Sequence, residues 1–259
     1  MGLVSRDGII PISHRQDTAG PIARTVTDAA HILSAISGRD PHDRLTDNIP
    51  FEDVPNYASA CSTTSLSGFR IGVPRNAFEE VPKLQGELAS ALSALPAVTE
   101  AFDAALRRLE LAGATIVENA NFSGIEKYLV SDPSLREIAI LTDFRIEIER
   151  YLGDLKLNPN NLVDLEGLVD FTKSTPGEAF PEVGLEVFEK ALSTKGPTDP
   201  AYQEALALGS EFSGDGGILG ALERWNLDAL VVPTTPWITV RAAAIGGLPI
   251  VGVPLGFYP

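Results

Sequence analysis

One cysteine, Cys61, among 259 residues leaves no partner to oxidise with, so no disulfide framework holds this chain together. Basic side chains are scarce as well: 20 Lys and Arg stand against 35 Asp and Glu, a formal charge of -15. A surface this acidic repels phosphate backbones and anionic headgroups, which argues against nucleic acid and membrane surfaces as partners. No apolar run approaches the roughly 18 to 20 residues that a membrane-spanning helix needs. The longest, Asp228–Thr234, is strand-sized. After Met1 no basic stretch leads into an apolar one, and Asp7 comes early. The expectation is a cytoplasmic protein. Internal repeats and low-complexity tracts are missing too.

What is present is a globular composition. Hydrophobic residues make up 44% of the chain, enough to bury a sizeable core in one large domain or two small ones. Residues 1–24 read as loop. Thr25 then resembles an N-cap with Asp28 three residues on, and Val26, Ala29, Ala30, Leu33 and Ile36 recur at helical spacing up to Gly38. Residues 39–68 hold three prolines and many turn formers, and are expected to be an irregular surface excursion.

"FRIGVP" predicts a strand over Phe69–Val73, and Ala97–Leu111 a helix with Phe102 and Leu106 on its apolar face. Ala114–Glu118 predicts a second strand; strand, helix, strand in this order implies parallel pairing. Residues 124–153 read as helical with a break at Pro133, and Phe144, Ile148 and Leu152 share a face. Short helices are expected at 201–207 and 218–224. Asp228–Thr234 and Leu248–Gly256 read as buried strands from their continuous apolar runs. The fold class is therefore α/β, with a mixed, largely parallel sheet flanked by helices on both faces.

Hydrolytic chemistry needs a nucleophile, a base and donors for the developing oxyanion. His31 sits inside the first helix, and His14 and His42 lie in loops without a Gly-flanked serine elbow nearby. A lysine base would need an apolar surrounding to lower its pKa, yet Lys83, Lys127, Lys156, Lys173, Lys190 and Lys195 all fall in polar or loop contexts. "RDPHD" offers Asp40, His42 and Asp43, but no second ligand cluster at metal spacing accompanies it. "GSEFSGDGG", Gly209–Gly217, lacks the Lys-Ser/Thr ending of a phosphate-binding loop and reads as a flexible connection. Residues alone thus give an α/β core without a complete catalytic constellation.

The opening block "GLVSRDGIIPISHRQDTAGPIARTVTDAAHIL" strongly resembles the amidase signature family. The pattern G-x-V-S-R-x-G-x-x-P followed by D-T-x-G-P-x-A-R-T-V-x-D-A-A is met by Gly2, Val4, Ser5, Arg6, Gly8, Pro11, Asp17, Thr18, Gly20, Pro21, Ala23, Arg24, Thr25, Val26, Asp28, Ala29 and Ala30. "DFRIEIERYL", "LDALVVPTTP" and "GGLPIVGVPLGFYP" look like later landmarks of the same family.

The resemblance implies cleavage of a carboxylic amide C–N bond by a Ser–cis-Ser–Lys relay, on a small-molecule amide, with no cofactor and no metal. It also implies that the Lys, the cis-Ser and the nucleophile lie upstream of Gly2. Ser5 matches the family's downstream serine rather than its nucleophile. No catalytic residue is therefore assigned, and residues 1–259 are expected to be a single partial domain cut at both ends. A non-catalytic remnant serving as a binding or interaction module is the alternative. By the same resemblance Ser13 and Asp17 are candidates for lining the substrate pocket, and Thr234, Thr235 and Trp237, past the end of a strand, for touching substrate. Asp17 and Arg24 are expected to form a local ion pair.

Overall fold

The computed structural model describes residues 1–63, 65–78, 96–233 and 237–255. Three short strands form its centre: β1 (Arg70–Val73), β2 (Thr115–Glu118) and β3 (Ala229–Leu230), in the order β2-β1-β3. Both pairings are parallel, with Ile71 opposite Ile116 and Gly72 opposite Leu230. The helix α2 (Pro96–Leu111) lies between β1 and β2 in sequence and packs on β2. Gly72 is required by this packing. A Cβ there would stand 2.3 Å from Leu227 Cδ1 and 2.9 Å from the Cβ of Ala120.

The third strand is shorter than its apolar run predicts. β1 ends at Pro74, which has no N–H, so the ladder closes when the Val231 amide donates to Gly72. Val231 and Val232 then pack on the core as irregular chain. The expected strand from Leu248 onward is absent: residues 248–255 have no regular structure, and Ile250, Val251 and Val253 are exposed. Pro249 and Pro254 cannot donate to a ladder, and no neighbouring strand among the described residues is there to receive the segment.

Helices supply most of the remainder. α1 (Val26–Ile36) is capped by Thr25, whose hydroxyl accepts from the Asp28 amide at 3.1 Å. α3 (Ile125–Val130) and α4 (Pro133–Asp154) meet at Asp132, an N-cap with Pro at the first helical position. α5 (Leu165–Ser174) and α6 (Glu186–Leu192) close a cluster of Phe144, Ile148, Leu152, Leu165 and Ala191. α7 (Pro200–Ser213) and α8 (Ile218–Trp225) follow, then α9 (Trp237–Gly246).

The main core joins Val73, Phe78, Phe102 and Leu106 to Tyr128, Phe212, Ile238 and Ala242, and the Tyr128 and Phe212 rings stack with centroids 3.9 Å apart. α9 is a helix where the sequence pattern gave no expectation of one. The Gly-rich stretch is not a loose connection: Gly209–Ser213 belong to α7, and Gly216 accepts from the Gly124 amide at 2.7 Å. A Cβ on Gly217 would sit on the Phe212 carbonyl, so glycine serves close backbone contact there.

Candidate functional site

The opening segment is fastened at two points by acids from distant sequence. The Arg6 guanidinium grips Asp43 as a fork, Nε to Oδ2 at 2.8 Å and Nη2 to Oδ1 at 2.6 Å, while the Arg6 amide also donates to Oδ2. Hydrogen bonding from Arg6 holds the Asp43 carboxyl down to a pKa of about 2. Ser5 donates to Asp40 at 2.5 Å, which holds that carboxyl below its usual range as well. In this way the V-S-R motif and the "RDPHD" turn form one polar clasp. Asp7, Asp40 and His42 do bring ligand-type atoms together at the surface, but Asp40 is engaged by Ser5 and the His42 amide.

The second fastening is Asp143, 2% exposed in the middle of α4. It accepts from the Ser13 hydroxyl at 2.6 Å, from Arg15 at 2.9 and 3.2 Å, and from the Tyr202 hydroxyl at 2.8 Å. One carboxylate thus joins the opening loop, α4 and α7. A buried acid is tolerated only when paired and hydrogen-bonded, and this one has four donated bonds.

Beside this network lies a cavity of about 430 Å³ between the opening loop and α3, α4, α7 and α9. Arg15, Arg136, Arg241 and Asp143 line it together with Ile140, Leu206 and Ile245. Arg136 Nη1 donates to the Tyr128 and Leu129 carbonyls at the end of α3. Arg241 Nε donates to the Tyr128 hydroxyl at 2.7 Å, and its Nη2 to the Arg136 carbonyl. Among the described residues lining this cavity there is no lysine and no histidine. A second cavity of about 210 Å³ is polar and includes Arg6, His14, Asp17, Asp43 and Glu147.

Of the residues singled out from sequence, Ser13 is fully buried with its hydroxyl on Asp143. Asp17 lines the smaller cavity; its carboxylate accepts from the Ile12 and Ser13 amides at 2.9 and 3.0 Å, which folds the loop back on itself. The expected ion pair between Asp17 and Arg24 does not form: the Asp17 carboxylate is turned back on its own loop through Oδ2, and Arg24 lies in an exposed stretch. Trp237 begins α9, and Thr234 and Thr235 lie outside the described residues. Asp143, Arg136 and Arg241 escaped the sequence reading. Their one visible signal was a charge placed beside apolar helix positions, such as Asp143 next to Phe144.

Comparison with known proteins places this geometry in context. The family model described as Amidase matches residues 1–248. A relative from Arthroderma benhamiae that carries an amidase name is 40% identical over 263 residues, covering 100% of this chain and 41% of the relative. A relative from Arabidopsis thaliana, also named for amidase activity, is 33% identical over 260 residues, 99% of this chain and 45% of its own length. Among solved structures, the native peptide amidase of Stenotrophomonas maltophilia superposes with a TM-score of 0.74 at 31% identity, over 95% of this chain and 48% of that one. The chain therefore spans less than half the length of these two curated relatives.

Proposed function

This chain belongs to the amidase family, and on that premise we propose that it forms part of a hydrolase cleaving the C–N bond of a small-molecule carboxylic amide. In this reading a serine nucleophile attacks the amide carbonyl and a neutral lysine draws the proton through a second serine in a cis peptide, with none of the three among these residues. The chain contributes scaffold and part of the pocket wall. The observation that carries the reading is the position of the lysines. Lys127, Lys156, Lys173, Lys190 and Lys195 are all exposed, and Lys127, Lys173 and Lys190 pair with glutamates. None of these five, the lysines among the described residues, has the apolar surrounding that a neutral lysine base needs.

A second feature supports the same reading. Ile9, Ile10, Ile12 and Ile22 in the opening segment are exposed, as are Ile250, Val251 and Val253 near the other end. The two ends meet, since the Met1 amino group donates to the Gly247 carbonyl at 2.7 Å. Apolar surface of this kind calls for cover. The relatives hold more than as much chain again with which to provide it.

The test is complementation. The 259-residue chain is expected to release no amine from an aryl amide such as 4-nitroacetanilide. Mixed with the N-terminal remainder of the Arthroderma benhamiae relative, it is expected to gain turnover, with a fluorophosphonate label landing on a serine of the added segment. Turnover by the chain alone, with the label on one of its own serines, would overturn the reading.

A further inference from the structure

The larger cavity carries an excess of positive charge in a chain whose net charge is -15. Among the described residues its lining holds three guanidiniums, Arg15, Arg136 and Arg241, and one carboxylate, Asp143. Asp143 is engaged by Ser13, Arg15 and Tyr202, so its charge is directed at Arg15. Arg136 uses only Nη1 within the fold, on two backbone carbonyls. Its Nε and Nη2 have no acceptor among the described residues. Asp132 is exposed at the start of α4, where its carboxylate accepts from the amide and hydroxyl of Ser134 and feels Arg136 only as a through-space attraction, without a hydrogen bond to it.

The guanidinium of Arg136 is also held in place. Its carbonyl anchors Arg241, and both arginines converge on Tyr128, which is stacked on Phe212 in the core. An arginine fixed by bonds on one nitrogen and open on the other two presents a planar fork, the shape that matches a carboxylate. Beyond the fork the lining is largely apolar, with Ile140, Leu206 and Ile245.

We propose that this cavity binds a small organic carboxylate with an apolar body, its two oxygens accepting from Arg136 Nε and Nη2 and its body lying against the aliphatic lining. A volume of about 430 Å³ suits an acid of that kind. The inference concerns what the chain binds and is independent of the relay proposed above, so turnover and binding fail separately.

The test is isothermal titration of the 259-residue chain at neutral pH with 3-phenylpropionate and with its neutral isostere 3-phenylpropanamide. The acid is expected to bind at least about tenfold more tightly, because its bonds to the fork are charge-assisted. Arg136→Gln is expected to remove that preference and Arg136→Lys to keep part of it. Because Arg136 also holds the end of α3, the two ligands on the unaltered chain decide the question without the variants. Equal binding of acid and amide, or binding of neither, overturns the proposal. Inorganic phosphate is expected to compete weakly; competition as strong as that of the acid would refute the apolar half of the site.

Discussion

Two helices with the same apolar spacing meet opposite fates in this molecule. In α4 the stripe of Phe144, Ile148 and Leu152 is buried against α5 and α6. In α1 the stripe built from Val26, Ala29, Ala30, Leu33 and Ile36 has no buried member, and Val26 and Ile36 are more than two-fifths exposed. The spacing states which face avoids water and says nothing about what covers it. The contrast teaches that these two regions of the molecule differ in kind. The α4 region is closed on itself by side chains of its own, whereas the α1 region is met only in part by residues 57–62 and leaves Val26 and Ile36 exposed.

The strongest way to break the closed region is to remove its buried acid. Asp143→Ala leaves the guanidinium of Arg15 and the hydroxyls of Ser13 and Tyr202 without their acceptor. The expected loss is about 3–5 kcal/mol in urea unfolding, as for other broken buried pairs. A paired substitution sharpens the contrast itself. Ile148→Ala in α4 is expected to cost about 2–4 kcal/mol, and Ile36→Ala in α1 under about 0.5 kcal/mol. If the N-terminal segment of a relative binds over α1, the Ile36 change should become costly in the complex while the Ile148 cost stays the same.

The clasp between Arg6 and Asp43 gives a smaller effect with a defined sign. The Asp43 carboxyl is depressed to about 2, so its contribution is complete above its ordinary value near 4 and is lost as pH falls toward 2. Asp43→Asn should flatten stability across that window, removing about 1–2 kcal/mol of pH-dependent stability in acid-unfolding curves. Thr142 provides the mildest test and the opposite direction. Its hydroxyl is buried in α4 without a hydrogen-bond partner among the described residues. Thr142→Val should therefore raise the unfolding free energy by about 1 kcal/mol.

Much of the framework was legible before any coordinates. Thr25 and Asp28 marked the start of α1, Pro133 the start of α4, and the short apolar runs before Pro74 and at 115–118 the two central strands. These features depend on residues a few positions apart, and local chemistry is enough to set them. The motif block of the opening segment identified the family for the same reason, since its residues sit at fixed spacing. The extended segment after Leu248 was misread because an apolar run names a preference for burial, and a strand also needs a neighbour with free donors and acceptors. The site was less visible still. Ser13 and Asp17 were noted for their place in a motif, while Asp143 and Tyr202, which hold that loop, stand far from it in sequence.

By itself the sequence determined the caps, the helical stripes, the two central strands and the acidic surface, because each follows from side chains interacting with their own stretch of backbone or with water. Only the tertiary structure decided that Arg6 would close on Asp43, that one buried carboxylate would gather Ser13, Arg15 and Tyr202, and that Arg136 would face a cavity with two donors unused. Those pairings join residues up to 130 positions apart. Charge and hydrogen-bonding capacity can be read from a residue's type, but the partner that satisfies them is fixed by whichever chain segment packing brings within 3 Å.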